Sequence, residues 1–204
     1  MKIGILLGTF DPIHISHLTA ASSVINSKLC DKILFVVAKQ NPWKDNKATP
    51  FDIRCEMIKA SIQHMSNVFE VCELEKDIEP PTYSYKVLEK IKRKFPNDEL
   101  FIIGGSDVME NITKWYNFKD KIKPYFNFIE VGRGNDFDIL LPNNVPFKII
   151  KLERNGIGKI NCIIPQNNNI SSTMIREMVK NNMNPYPYVN DNVSKIILKN
   201  KLYN

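Results

Sequence analysis

The 204-residue sequence has no apolar run approaching the ~20 residues that a membrane span requires. Its opening stretch meets Gly8 and Asp11 too early to act as a secretory signal, so a secreted or membrane-embedded protein is not expected. Four cysteines, Cys30, Cys55, Cys72 and Cys162, stand far apart with no CxxC pair. That spacing argues against a structural zinc site or a thiol redox motif. It suits a reducing, cytoplasmic setting in which each thiol is a small buried hydrophobe. There is no GxxxxGK(S/T) phosphate loop, and Gly132-Arg133-Gly134 and Gly156-Ile157-Gly158 both lack the third glycine of GxGxxG. A kinase-type or ordinary dinucleotide-binding site is therefore disfavoured. Basic and aromatic residues do not interleave as they do on RNA-binding surfaces, and no segment repeats at a fixed period.

What is present describes one globular domain spanning 1–204. The hydrophobic fraction of 43% and charged fraction of 25% are ordinary for such a chain, and its length allows a core without disulfide or metal staples. The net charge of +6 is compatible with an anionic ligand, and equally with a lysine-rich composition of no functional meaning. The tight basic cluster at 90–94 reads as the solvated end of a helix, where positive charge suits the macrodipole.

Short continuous apolar runs at 2–7, 32–38, 69–72, 100–103 and 126–131 predict strands buried on both faces. Between them the pattern predicts helices over 16–28, over 50–65 with Thr49 as N-cap and Pro50 as first residue, and over 84–95. This alternation is the signature of an α/β protein with a doubly wound, mostly parallel sheet and helices on both faces. The second half is less regular. Strands are expected at 147–152 and 161–164, loops at 133–146, 154–159 and 166–169, and helices over 171–181 and 190–200. A sheet of this kind binds its ligand beyond the carboxyl ends of the strands, at the switch point.

The first strand leads there into Gly8-Thr9-Phe10-Asp11-Pro12-Ile13-His14-Ile15-Ser16-His17 and then a helix. Gly8 allows close backbone approach, and the helix start offers amides and a positive dipole end. Two of the chain's three histidines, His14 and His17, lie three apart and so share one side of the first turn. Such a pair can donate hydrogen bonds to a polyphosphate and stabilise charge on departing pyrophosphate. A capped turn with incidental histidines, or two ligands of a metal site lacking an evident third, are the other readings of the loop.

This loop resembles the GxFDPxHxGH signature of the HxGH nucleotidyltransferases, with Ser16 where the family usually has glycine. Asn169-Ile170-Ser171-Ser172-Thr173-Met174-Ile175-Arg176 resembles the ISSTxIR element of the same superfamily. Phe101-Ile102-Ile103-Gly104-Gly105-Ser106-Asp107, followed by Thr113-Lys114-Trp115, is similar to the GAD and KW elements of the pyridine mononucleotide adenylyltransferases. Pro42-Trp43-Lys44, Pro81-Thr82-Tyr83-Ser84 and Val131-Gly132-Arg133-Gly134 are partial matches to further elements of the bacterial nicotinate branch.

The resemblance implies a Rossmann-like nucleotidyltransferase fold and adenylyl transfer from ATP to nicotinate mononucleotide, giving the deamido dinucleotide of NAD biosynthesis and pyrophosphate. It assigns ATP to Gly8, Thr9, Phe10, His14, His17, Gly105, Asp107, Ser171, Ser172, Thr173 and Arg176, with His17, His14 and Arg176 catalytic. It assigns the pyridine mononucleotide to Lys44, Thr82, Tyr83, Ser84, Trp115 and Arg133. Mg2+ is expected on the ATP phosphates, with no metal ligand from the protein. The rivals are nicotinamide mononucleotide as main acceptor, another HxGH enzyme acting on pantetheine phosphate or flavin mononucleotide, and a nucleic-acid-binding module using the basic surface.

Overall fold

Alternation along each strand decides which side of the sheet a residue serves. In β2 (Lys32–Val37), Ile33, Phe35 and Val37 enter one core cluster while Leu34 and Val36 enter the other. Both faces of the sheet are therefore apolar and both are covered. The computed structural model describes residues 1–39, 48–132, 147–165 and 170–204. Its elements run β1 (Lys2–Gly8), α1 (Ile15–Asn26), β2, α2 (Phe51–Ile62), β3 (Phe69–Cys72), α3 (Ser84–Lys94), β4 (Glu99–Gly104), α4 (Ser106–Asn111), β5 (Asn127–Val131), β6 (Phe147–Arg154), β7 (Gly158–Pro165), α5 (Ser172–Lys180) and α6 (Asp191–Lys199).

The seven strands lie in the order β3-β2-β1-β4-β5-β7-β6. All pairs are parallel except β6 with β7. The chain winds outward from β1 through β2 to β3, then returns to β4 on the other side of β1, so the switch point falls between β1 and β4. Helices α1, α2, α5 and α6 cover one face of the sheet. Helices α3 and α4 cover the other, together with the helical turns Ile112–Lys114 and Phe118–Ile122. The last turn of α3 carries Lys92, Arg93 and Lys94, as the basic cluster implied.

Three local expectations are corrected. Helix α2 starts at Phe51, with Pro50 as N-cap in an extended conformation, rather than after a Thr49 cap. Thr49 is tied elsewhere, its amide donating to Asp11 Oδ2 at 3.1 Å and its carbonyl accepting from Arg54 Nε at 2.7 Å. The loop expected over 154–159 is a tight turn that makes β6 and β7 a hairpin. Gly156 and Gly158 supply its positive φ values of 85° and 96°, which other residues rarely adopt. Helix α4 and the two turns after it lay in a stretch given no element, because one to two turns carry too few residues for a periodic signal. The segments 133–146 and 166–169, expected as loops, lie outside the described residues.

All four cysteines are buried and none forms a disulfide. Burial pushes the Cys30 thiol up to about 12 and that of Cys55 to about 11, which leaves both protonated and inert at neutral pH. Among the described residues no helix is long and apolar enough to cross a membrane.

Candidate active site

A cleft of about 1270 Å3 opens at the carboxyl ends of the central strands, bordered by Leu7 of β1, Gly104 of β4, Val131 of β5 and Pro165 of β7. The β1–α1 loop forms its floor. Phe10 adopts a left-handed φ of 50° and turns its ring back into the core, 3% exposed, edge-on to Phe35. A side chain at Gly8 would meet that ring at 2.9 Å, so the glycine makes room for Phe10. Gly8 is not among the cleft's lining residues.

Phe10 in turn sets His17. The two rings meet edge to face with centroids 5.0 Å apart, and His17 lies against His14 at 3.8 Å. His14 is the N-cap of α1, and its backbone N–H donates to His17 Nδ1 at 3.3 Å. An imidazole that accepts at Nδ1 carries its proton on Nε2, so His17 is a neutral Nε2–H donor. Burial, and then the neighbouring His14, hold its pKa well below the ordinary imidazole value.

That depression has a measurable consequence. As the pH falls through about 6.5 the unfolded chain takes up a proton at His17 while the folded chain does not. Unfolding then binds a proton, so stability declines with falling pH below that point and is level above it. The melting temperature at about pH 5.5, relative to about pH 7.5, is expected to fall further in the parent than in His17→Asn. Glu75, whose pKa burial raises, contributes with the opposite sign in both proteins and cancels from the comparison. Equal pH slopes would contradict a neutral, shielded His17.

Helix α5 brings the second motif to the same place. Ser171 caps it, accepting from the Met174 amide at 3.2 Å. Three side chains then join the two motifs across more than 150 residues of sequence. Ser16 Oγ donates to the Ile170 carbonyl at 3.2 Å, Ser172 Oγ to the Pro12 carbonyl at 2.9 Å, and Arg176 Nη1 to the Asp11 carbonyl at 2.8 Å. Ser16, which replaces the usual glycine, thus holds α1 against the α5 approach. Arg176 Nη2 also donates to Thr173 Oγ1 at 3.0 Å, which orients the guanidinium along the cleft. Opposite, Gly105 caps α4, and a side chain there would sit 2.8 Å from Asp107 Oδ1.

The cleft thus gathers Thr9, Phe10, His14, His17, Gly105, Asp107, Ser171, Ser172, Thr173 and Arg176. Of the residues expected around the pyridine nucleotide, the described ones, Thr82, Tyr83, Ser84 and Trp115, are not part of its lining. Thr82 is buried with its hydroxyl bonded to Glu75. Tyr83 caps α3 and stacks on Tyr116 at 4.7 Å, so the Pro81–Ser84 element and the Lys114–Trp115 element are neighbours. Ser84 opens α3, and Trp115 is half-buried against the core cluster of the α3 face. Lys44 and Arg133 lie outside the described residues.

Several supporting residues escaped the sequence reading. Arg54, 1% exposed, donates to the carbonyls of Thr9, Ala38, Lys39 and Thr49, and so fastens the loops after β1 and β2 to the start of α2. Glu75 accepts from the Lys39 amide at 2.9 Å. The signal for Arg54 was its position, a lone charge among the core-facing residues Cys55, Met57, Ile58 and Ile62 of α2. Lys201, Leu202 and Tyr203 also line the cleft, and nothing local in the sequence pointed to them.

Amide-bearing helix starts, a neutral imidazole donor and a tethered guanidinium at the switch point of a doubly wound sheet suit a transferred or departing polyphosphate. The fold and the site define a nucleotidyltransferase of the α/β class. The cytidylyltransferase-like family model matches residues 5–178. The chain is 34% identical over 204 residues to nicotinate-nucleotide adenylyltransferase of Bacillus subtilis (strain 168), covering 99% of this chain and 98% of that protein. Among solved structures, Plasmodium falciparum nicotinic acid mononucleotide adenylyltransferase complexed with NaAD superposes with a TM-score of 0.75 at 21% identity, over 99% of this chain and 97% of that one. The same enzyme complexed with APC gives 0.71 at 21% identity, over 99% and 96%, and both share the fold described here. The chain belongs to the cytidylyltransferase-like family and, within it, to the nicotinate-nucleotide adenylyltransferases.

Proposed function

We propose that this enzyme transfers the adenylyl group of ATP to nicotinate mononucleotide, releasing pyrophosphate and forming nicotinate adenine dinucleotide. A phosphate oxygen of the mononucleotide attacks the α-phosphorus of ATP. The new P–O bond forms as the bond from that phosphorus to the bridging oxygen breaks, and the electron pair leaves on pyrophosphate. The attacking phosphate is already anionic, so no general base is required, and the protein contributes alignment and charge stabilisation. The observation that carries this reading is that His17, whose Nδ1 accepts from the His14 amide, and Arg176, hooked to the Asp11 carbonyl, line one cleft at the β1–β4 switch point.

In this reading His17, His14 and Arg176 meet the β- and γ-phosphates, and Asp107 accepts from the ribose. Magnesium would arrive with the ATP phosphates as part of the substrate and would supply neutralising charge there. The cleft's imidazole, guanidinium, hydroxyl and amide groups suit phosphate oxygens, and of its two carboxylates Asp11 is taken up by the Thr49 amide and the Tyr203 hydroxyl, leaving Asp107. Among the described residues no group of three or more His, Cys, Asp or Glu side chains is placed to hold a metal.

The test is pyrophosphate release from ATP with nicotinate mononucleotide, nicotinamide mononucleotide, pantetheine phosphate and flavin mononucleotide at equal concentrations. Turnover is expected to be greatest with the nicotinate acceptor, and turnover confined to flavin or pantetheine phosphate would overturn the assignment. Trp115 supplies a second expectation. Stacking on the pyridine ring acts equally in ground and transition states, so Trp115→Ala should raise KM for the mononucleotide about tenfold with kcat and the KM for ATP little changed. A rise in the ATP KM alone would place Trp115 away from the acceptor.

A further inference from the structure

The family match ends at residue 178, but the cleft wall continues beyond it. Helix α6 closes with a paired turn, in which the Leu202 amide donates to the Ile197 carbonyl at 3.0 Å and the Lys201 amide to the Leu198 carbonyl at 3.1 Å. This is the geometry in which the residue after the cap is usually glycine. Here that residue is Lys201, at φ 50°, and Tyr203 follows at φ 67°. Two left-handed non-glycine residues in three are unfavourable for the backbone and persist where the surroundings over-determine them. The surroundings in this case are the core cluster of the α1 face, against which Leu202 and Tyr203 pack, and the turn at Asp11.

Tyr203 reaches that turn directly, its hydroxyl donating to Asp11 Oδ1 at 2.7 Å. The other carboxylate oxygen takes the Thr49 amide, and the Asp11 carbonyl takes Arg176. One residue therefore has the chain's last segment and the start of α2 on its side chain, and a catalytic guanidinium on its backbone. Burial, and then the facing carboxylate, push the Tyr203 phenol far above its ordinary value, so it remains a donor throughout the neutral range.

We propose that Tyr203 is a positioning residue of the nucleotide site, fixing through Asp11 the turn on which Arg176 is hung and from which His14 and His17 face the polyphosphate. The proposal rests on the adenylyl-transfer reading and adds to it a segment outside the family match. Tyr203→Phe keeps the ring and its packing and removes only the hydroxyl. It is expected to melt a few degrees below the parent, since a buried carboxylate oxygen loses its donor, while kcat, read where both are fully folded, falls about tenfold, the rate equivalent of one hydrogen bond to a charged group, with KM for the mononucleotide unchanged. Asp11→Asn is expected to lose kcat similarly, and the double variant to lose no more than either single, because the two act as one unit.

Full turnover and unaltered ATP affinity in Tyr203→Phe would overturn the proposal. So would a lowered melting temperature with turnover unchanged, which marks a merely structural contact. If the parent releases pyrophosphate with none of the four acceptors, the adenylyl-transfer reading fails, and Tyr203 is then judged by calorimetry with ATP. Several-fold weaker binding in Tyr203→Phe would support its role, and equal binding would end it.

Discussion

Replacing His17 with alanine is expected to lower kcat by about 100- to 1000-fold, the effect of removing one donor aimed at developing oxyanion charge. Three contacts put the donor in place. The Phe10 ring braces the imidazole edge-on, His14 lies against its face, and the His14 amide occupies Nδ1, leaving Nε2–H for the phosphate side. In the proposed mechanism the neutral ring donates a hydrogen bond as charge builds on the departing pyrophosphate. The loss should therefore appear in kcat, with KM for ATP changed little. His17→Asn, which retains a donor on a shorter arm, is expected to recover part of the rate. Combining His17→Ala with Arg176→Ala should cost less than the product of the two, since both act on the same charge. A folded His17→Ala variant with the parent's kcat would remove His17 from the mechanism.

The parts of this arrangement that were legible in the sequence are those set by short-range rules. The apolar runs predicted β1 to β5 to within two residues, because a strand buried on both faces has no polar position to blur its limits, whereas β7 begins three residues before its expected start. The start of α1 was readable from the β1 loop, and Ser171 was recognisable as a helix cap. Hidden features depended on what the chain meets far from itself. That Ser172 and Arg176 would bind the carbonyls of Pro12 and Asp11 required knowing that residues 160 and 165 positions apart are neighbours. That Tyr203 would reach Asp11 required the exit angle of α6, set by a left-handed lysine for which there is no sequence rule. Likewise the antiparallel β6 was indistinguishable from a parallel strand, since strand direction is decided by the connection and not by the apolar run.

Arg54 combines both situations, and its replacement is expected to have the largest effect on stability. Its Nη1 donates to the Thr9 and Ala38 carbonyls at 2.6 and 2.7 Å, its Nε to Thr49 at 2.7 Å and its Nη2 to Lys39 at 3.3 Å. Burial lowers its pKa and the Asp11 and Glu75 carboxylates oppose that shift, but a guanidinium stays charged throughout. Methionine at this position fills comparable space and supplies no donor. It leaves carbonyls of three backbone segments without their partner and removes one of the cations beside the Asp11 and Glu75 carboxylates. A buried acceptor stripped of its donor costs about 1–3 kcal/mol, and removing one partner from a buried charge arrangement about 3–5 kcal/mol. Taking ~4 kcal/mol for Arg54→Met, melting should fall by roughly 8–16 °C for a chain of this size. Arg54→Lys is expected to recover only part of this, because three tetrahedral donors on one atom cannot reach acceptors that a planar fork spans. The same carbonyls belong to the loops that carry Phe10 and Asp11, so residual folded Arg54→Met should also turn over more slowly than the parent. Melting within about 2 °C of the parent, below the ~1 kcal/mol that one lost acceptor bond would register, would show that the four hydrogen bonds do not bear on stability.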